Sequence, residues 1–317
     1  MIFMIGKKMI SIVIPVFNSE ATIFDLVTEL INHISENHKL EVVLVNDYSD
    51  DRSEKECIRL FKKYPDIVKF YSLAKNVGEH NAVMAGLNKS KGNWAVIMDD
   101  DFQNPVSEVS KLINYILNSN YDVVYTKYDK KQHSAFKNIG SYFNNKVANI
   151  MLKKPNELYL SSFKAINRKL ISEIIKYKLP YPYIDGLILR TTNNIGVLEV
   201  QHDIRLQGQS GYTIKKLISL WLNMFTNFSV VPLRISTVLG TVLSFGGFLF
   251  ALAILIEKLF YPEVPQGYAS LVIIFIIFAG VQLIFIGLIG EYLGRLFISN
   301  NKHPQFFITK KYENIET

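Results

Sequence analysis

Cysteine is nearly absent. The 317-residue chain holds one, Cys57, inside a stretch with helical spacing. That excludes a disulfide framework and a cysteine-based metal site, and it suits a reducing compartment. Phosphate-binding glycine motifs are missing as well. The first strand-like run, "ISIVIPVF", leads into "NSEA" without a glycine, where a dinucleotide-binding fold would carry G-x-G-x-x-G; a P-loop lysine motif is also lacking. The amino-terminal "MIFMIGKKMISIVIPVFN" has too short an apolar start, and lysines too late, for a secretory signal; Met9 is an alternative start. Finally, charge is absent from 235–256 and from 269–290. A helix needs about 20 apolar residues to cross a bilayer core, so each stretch is predicted to span one. Two core helices of a soluble domain, the alternative, would show a polar face.

What is present divides the chain. Residues 9 to about 126 alternate strand and helix patterns: "ISIVIPVF", "EVVLVND", "VKFYSLA", "NWAVIMDDD" and "YDVVYTK" read as strands, with amphipathic segments between them. Asn18 or Ser19 is the expected cap of the first helix. This βαβ alternation predicts an α/β fold with a mostly parallel sheet, whose ligands sit beyond the carboxyl ends of the strands. Residues 134–152 read as an amphipathic helix, "SSFKAI" and "IGVLEVQH" as further strands. Segment 213–229 is either an interfacial membrane helix or one packed under the soluble domain. The short connector "EKLFYPEVPQGY" makes the two apolar stretches a hairpin. Arg234, Arg295, Lys302, Lys310 and Lys311 flank it on one side against Lys258 in the connector, so the positive-inside bias places the large domain in the cytoplasm. Net charge is +7 with a pI near 9.1, which suits an anionic partner: lipid headgroup, phosphorylated substrate or nucleic acid.

One stretch raises a chemical question. In "VIMDDDFQNP" an apolar strand runs straight into Asp99, Asp100 and Asp101. Adjacent carboxylates repel and cost free energy to desolvate. A solvated turn, with one Asp capping a helix that starts near Pro105, is one account. The other is a divalent cation held by Asp99 and Asp101. Hard cations take carboxylate oxygens and keep positions open for substrate phosphates, and between a nucleotide diphosphate and a leaving group such an ion acts as Lewis acid.

In order and spacing, "SIVIPVFNSE", "VNDYSDD", "KNVGEHNAVMAGL" and "DDDFQNP" resemble the signature segments of inverting family-2 glycosyltransferases of GT-A fold. "D-x-D-x-Q-x-P", the "RLQGQSGYTIKKL" loop, "FSVVPLR", "GEYLGRLF" and "HPQFFI" are similar to the branch that transfers a sugar to a polyprenyl phosphate. The resemblance covers about residues 9 to 308. It implies a cytoplasmic GT-A domain over 1–212, an amphipathic juxtamembrane segment over 213–233, a transmembrane hairpin over 234–298 and a cytoplasmic tail over 299–317, placing the protein in the inner membrane with both termini cytoplasmic.

It also implies residue roles. Asp99 and Asp101 would hold Mg²⁺ or Mn²⁺ with the donor diphosphate, Gln103 adding an oxygen ligand. Pro15, Phe17, Asn18, Glu20 and Asp100 would frame the nucleotide, and Lys75, Asn76 and Gly78 would close the other wall. Asp47 would accept from uracil or ribose, or else cap the following helix. Glu20 would equally serve as a first-turn carboxylate favoured by the helix dipole. Arg205 would stabilise the departing nucleotide. Lys127, Lys130, Lys131 and Lys137, with Ser210, would meet the lipid phosphate, although any single lysine on such a segment is ordinarily a solvated face. Asp185, in "YIDGLILR", would orient the acceptor. A phosphate monoester is largely ionised at neutral pH, so a strong general base is not demanded.

The expected reaction is therefore metal-dependent, inverting transfer of a monosaccharide from a nucleotide sugar, uridine by family frequency, to undecaprenyl phosphate, supplying a lipid-linked sugar for cell-envelope glycans. A homo-oligomer, a tetramer by resemblance, is expected. Nucleic acid is not an expected partner. Competing readings are a silent membrane scaffold, a nucleotide-sugar-binding protein, a transferase acting on a non-phosphate lipid, and a processive polysaccharide synthase. "QHDIRLQG" does not match the Q-x-x-R-W of the synthases, and Asp99, Asp101 and Arg205, whose loss would mark a scaffold, are all present.

Overall fold

A computed structural model describes residues 8–128, 158–180, 182–201, 231–260, 267–300 and 304–314. The chain divides into two compact units, one formed by Met1–Gly211 with Lys302–Thr317 and the other by Tyr212–Asn301.

The first unit is built on the apolar runs read from the sequence. Strands β1 (Met9–Val16), β2 (Lys39–Asn46), β3 (Val68–Leu73) and β4 (Trp94–Ile97) are buried along nearly their whole length, as strands covered on both faces must be. They pair in parallel, Val13 lying opposite both Val43 and Ile97. Between them run α1 (Ile23–Ile34), α2 (Ser53–Lys63) and α3 (Glu79–Lys89), and α4 (Val106–Leu117) follows β4. Beyond β4 come β5 (Val123–Tyr128), β6 (Lys164–Asn167), α5 (Arg168–Ile174), α6 (Ile184–Thr191) and β7 (Ile195–Val200). With β8 (Ile308–Tyr312) from the carboxyl-terminal segment, the sheet order is β7-β5-β6-β4-β1-β2-β3-β8, with β6 antiparallel to both β4 and β5. The order reverses about β1, so the crevice between the ends of β1 and β4 is the topological switch point where α/β sheets bind ligands.

Period two sorts the sheet's side chains into two cores. Ile12, Ile14, Val42 and Leu44 join Leu26, Leu30 and Val109 from α1 and α4 in one apolar cluster. On the opposite face Val13 meets α3 so closely that a Cβ on Gly86 would lie 2.4 Å from its Cγ1. The first helix begins later than its sequence suggests. Thr22 stands at its N-cap but its side chain caps no helix N–H, and the side chains of Asn18 and Ser19 are engaged with other loops.

The carboxyl-terminal segment, expected as a tail, carries the edge strand β8 (Ile308–Tyr312), antiparallel to β3. Tyr312 stacks on Phe70 at 5.7 Å between ring centroids. Lys310 pairs with Glu54 and Lys311 with Glu313. Gln305 donates to the carbonyls of Tyr177 and Leu179 at 2.9 and 2.7 Å. Charged side chains on a short final strand also blunt the sheet's edge.

The second unit holds α7 (Val231–Phe260) and α8 (Tyr268–Asn300), about 45 and 50 Å long at 1.5 Å per residue. A Cβ on Gly240 would touch Phe285 and one on Gly247 would touch Phe278, each at 3.9 Å, so small residues face rings along an antiparallel helix pair. Other large apolar side chains, including Phe245, Phe248, Phe275 and Leu283, are exposed. Counted over the described side chains, which are interrupted along both helices, no helix is long and apolar enough to cross a membrane. The expected amphipathic segments 134–152 and 213–229 lie outside the described residues.

The close seat of α3 is testable. Gly86→Val would drive two methyls into Val13, and overpacking of this kind costs about 1–3 kcal/mol. Urea unfolding of the variant is expected to show a lower midpoint, corresponding to that loss of stability; an unchanged midpoint would contradict the close seat.

Candidate active site

The loops leaving β1, β2 and β4 are bound to one another by carboxylates that accept from a neighbouring loop's backbone. Asp100 Oδ2 accepts from the Phe17 N–H at 3.2 Å and from the Ser19 hydroxyl, while its carbonyl accepts from Thr22 Oγ1 at 2.7 Å. Asn18 Oδ1 accepts from the Asp50 N–H at 2.9 Å, and the Asn18 N–H donates to Ser49 Oγ at 3.1 Å. Glu20 accepts from the Arg52 N–H at 2.9 Å, at the start of α2, while its own N–H donates to Asp51. Thus Glu20 serves α2 rather than the first turn of α1. Asn18, Tyr48 and Phe102 all have positive φ, between 56° and 60°. Left-handed backbone at non-glycine residues costs on the order of 1–3 kcal/mol each and clusters where surrounding structure enforces it. Here one such residue follows each of the three strand ends.

Asp47, expected to meet a nucleobase or ribose, is buried and receives the N–H groups of Val77 and Gly78 at 2.8 and 2.9 Å, one on each oxygen. It therefore holds the amino end of α3, not of α2. Burial raises its carboxyl above the usual range despite those two bonds. Each oxygen retains further acceptor capacity. Gly78 has φ +89°, which requires glycine although no atom would block a side chain. Lys75 and Asn76 are exposed beside it, Pro15 is half-buried in β1, and Phe17 is 46% exposed.

None of the triplet caps α4, whose N-cap is Pro105 with no side-chain bond; the solvated-cap account of these carboxylates fails there. Asp99 Oδ2 accepts from Ser162 Oγ at 2.6 Å. Asp101 Oδ1 accepts from the Gln103 N–H at 3.1 Å, so Gln103 steadies Asp101 through its backbone. The carboxyls lie in a recess, walled by protein yet partly open to solvent. Burial pushes Asp99 up to about 6, Glu79 and Asp101 adding to the rise while Ser162 and Lys164 oppose it. Asp100 is pushed up to about 6 for the same first reason, against its bonds to Ser19 and Phe17.

Three further groups line this recess that the sequence did not single out. Lys164 is 4% exposed and forms a buried ion pair with Asp185 Oδ1. The same oxygen accepts from Tyr125 at 2.8 Å, and the ammonium lies 5.1 Å from the centre of the Tyr125 ring. Glu79, in the first turn of α3, is solvent-exposed on one side, yet the protein around it raises its carboxyl, with the Lys164 charge opposing. His80 meets Tyr183 edge-on at 5.2 Å and is lowered to about 4 by burial. A lysine set among apolar residues in "SSFKAI" was the available signal, since Lys is almost never buried unpaired.

Asp185 is thus engaged twice through one oxygen and is not a free proton acceptor there. Lys127, at the end of β5, is exposed, 3.9 Å from Glu199. Lys130, Lys131, Lys137, Arg205 and Ser210 lie outside the described residues. Among those described, no three His, Cys, Asp or Glu side chains converge on a metal position. Two carboxylates at a recess mouth fit instead a hard cation completed by substrate oxygens.

Because Asp99 is raised, the folded chain binds its proton more tightly than the unfolded chain does. Its ionisation therefore subtracts stability as pH rises from about 4 through about 6. In EDTA at pH 7.5, Asp99→Asn is expected to be more stable than the parent by on the order of 1 kcal/mol. Thermal melts across pH should show that gain disappearing near pH 4; a variant less stable at every pH contradicts the burial account.

Comparison with known proteins agrees with this geometry. Residues 11–175 match the family described as "Glycosyl transferase family 2". The chain is 30% identical to the uncharacterized glycosyltransferase YkcC of Bacillus subtilis (strain 168), over 95% of this chain and 94% of that one. It is 31% identical to the undecaprenyl-phosphate 4-deoxy-4-formamido-L-arabinose transferase of Aeromonas hydrophila subsp. hydrophila, over 95% and 93%. In fold it is similar to glucosyl-3-phosphoglycerate synthase from Mycobacterium tuberculosis, solved with Mn²⁺, uridine diphosphate and phosphoglyceric acid, with a TM-score of 0.51 at 16% identity over 74% and 78% of the two chains. The mostly parallel sheet, the carboxylates at its switch point and these matches place the chain in glycosyl transferase family 2, a transferase of sugars.

Proposed function

We propose that this enzyme transfers a monosaccharide from a nucleotide sugar to a polyprenyl phosphate, undecaprenyl phosphate in the first instance, at the cytoplasmic face of a membrane. The observation that carries the reading is the pair Asp99 and Asp101 at the β1–β4 crevice, steadied by Ser162 and by the Gln103 backbone. Across the same strand ends Asp47 fixes the loop of Val77 and Gly78. Support for the acceptor comes from relatives such as the one from Aeromonas hydrophila, named for transfer to undecaprenyl phosphate.

Asp99 and Asp101 would hold Mg²⁺ or Mn²⁺ together with the donor's diphosphate. When bound, that ion would supply Lewis-acid stabilisation of the departing nucleotide. Asp47 and the 75–78 loop would bound the base and ribose, with Phe17 offering an exposed ring beside them. Asp100, bonded to the β1 loop, would keep that side of the pocket in place. Arg205 would add a cation to the diphosphate, and Lys127, Lys130, Lys131, Lys137 and Ser210 would receive the lipid phosphate. The acceptor phosphate is mostly dianionic at neutral pH, with its second pKa near 6, so it attacks without needing Asp185 as base. A single in-line displacement inverts the anomeric carbon.

The membrane assignment rests on the sequence. The uncharged runs 235–256 and 269–290 fall within α7 and α8, each longer than the roughly 30 Å bilayer core. Exposed Phe245, Phe248, Phe275 and Leu283 would then face lipid tails instead of water. The hairpin would bring both of its ends to the cytoplasmic face, where the acceptor's headgroup lies.

The test is direct. Detergent-purified protein is incubated with undecaprenyl phosphate, Mn²⁺ or Mg²⁺, and a panel of nucleotide sugars beginning with uridine diphosphate sugars. Lipid products are read by mass spectrometry. A single glycosyl mass added to the lipid is expected, abolished by EDTA and reduced at least about 100-fold in Asp101→Asn, the order of loss for removing one stabilising group. Folded protein that binds no nucleotide and forms no product would overturn the proposal.

A further inference from the structure

Lys164 is the group in the recess to which neither the motifs nor the reaction above assign a task. Its position is set by the fold. β6 runs antiparallel beside β4, with Lys164 opposite Ile97, two residues before Asp99. Two residues before Lys164, just ahead of the strand, stands Ser162, the hydroxyl that holds Asp99. The ammonium is tied to Asp185 in the first turn of α6. Tyr125 from β5 closes the cluster by donating to the same carboxylate oxygen.

The charge on Lys164 reaches further than its partner. It acts on Asp99, Glu79 and His80, whereas Asp185 acts on Glu79 and His80. A buried ion pair is seldom retained for stability alone, since its desolvation offsets most of the attraction. This one lies near four carboxylates, Glu79, Asp99, Asp100 and Asp101, which carry more negative charge than one divalent cation neutralises.

We infer that Lys164 is a positioning residue for the donor. Pinned by Asp185 and Tyr125, it presents a fixed positive charge behind Asp99, so that an anionic nucleotide diphosphate can enter a recess lined with carboxylates. Asp185 serves the donor side by holding Lys164, not the acceptor. This rests on the donor reading given above and adds to it a residue and a direction of effect.

The experiment uses full-length protein in detergent and measures binding of uridine diphosphate, with guanosine and thymidine diphosphates alongside, in saturating Mn²⁺. Lys164→Met alone strands a buried carboxylate and is expected to unfold easily. The informative variant is Lys164→Met with Asp185→Asn, which removes both charges and keeps the volumes. It is expected to fold, with an unchanged circular dichroism spectrum, yet to bind the nucleotide at least 10-fold more weakly. In turnover its KM for the donor should rise while KM for the lipid phosphate moves less than 2-fold. Lys164→Arg, which keeps the charge, is expected to recover most of the donor affinity. Equal nucleotide affinity in parent and double variant would overturn the inference and leave the proposed function standing. A shift confined to the lipid KM, or to kcat, would also overturn it. If the parent itself binds none of the three nucleotides, the donor reading fails first.

Discussion

The arrangement depends on one constraint: carboxylates gathered at the ends of parallel strands must each find a partner. A parallel sheet points all its strand ends one way, so the loops leaving β1, β2 and β4 crowd around one crevice. Here they satisfy each other. Asp100 holds the loop after β1, Asn18 and Glu20 reach the loop after β2, and Asp47 holds the segment before α3. From α3 the circuit continues through the ring contact of His80 with Tyr183 to Asp185, Lys164 and, just ahead of β6, Ser162, which returns to Asp99. Loops usually carry function because a rigid scaffold holds them. In this chain the loops also brace one another, and the left-handed residues Asn18, Tyr48 and Phe102 are part of that bracing.

The circuit explains why the acidic residues differ in role despite similar chemistry. Asp47 and Asp100 accept from backbone N–H groups of other loops and shape the recess. Asp185 is committed to a buried cation. Asp99 and Asp101 stand together where β4 ends, accepting from Ser162 and from the Gln103 N–H respectively. That leaves them suited to a hard cation brought with substrate oxygens. Raising Asp99 and Asp100 to about 6 is the stability cost of assembling such a site, a compromise common where function needs strained or crowded groups.

Much of this was legible in the sequence, and the reasons are specific. Continuous β-branched runs such as "ISIVIPVF" and "EVVLVND" fix parallel, doubly covered strands, and the strand-ending "MDDD" points to the candidate site at the switch point. The sequence did not reveal which loop each carboxylate serves. Glu20 and Asp47, expected at the nucleotide, had as their alternatives a first-turn carboxylate and a cap on the helices nearest in sequence, yet they bond to the amino ends of α2 and α3 across the crevice, a tertiary choice that local pattern cannot encode. Lys164 escaped notice because β6 is a four-residue strand whose antiparallel insertion beside β4 breaks the regular alternation. β8 escaped for a similar reason: "ITKKY" is too polar to read as a strand until the apolar edge of β3, with Phe70 beneath Tyr312, is there to receive it.

The central claim is that the crevice between β1 and β4 holds a nucleotide diphosphate through a divalent cation on Asp99 and Asp101. Paramagnetic relaxation of the nucleotide's phosphorus signals by Mn²⁺ measures this without turnover. With the parent protein both phosphorus resonances should relax strongly in a protein-bound complex, and Asp101→Asn should abolish the enhancement that the protein adds to Mn²⁺-nucleotide alone. Nucleotide that binds tightly with no protein-dependent enhancement, or an enhancement identical in the variant, would contradict the account.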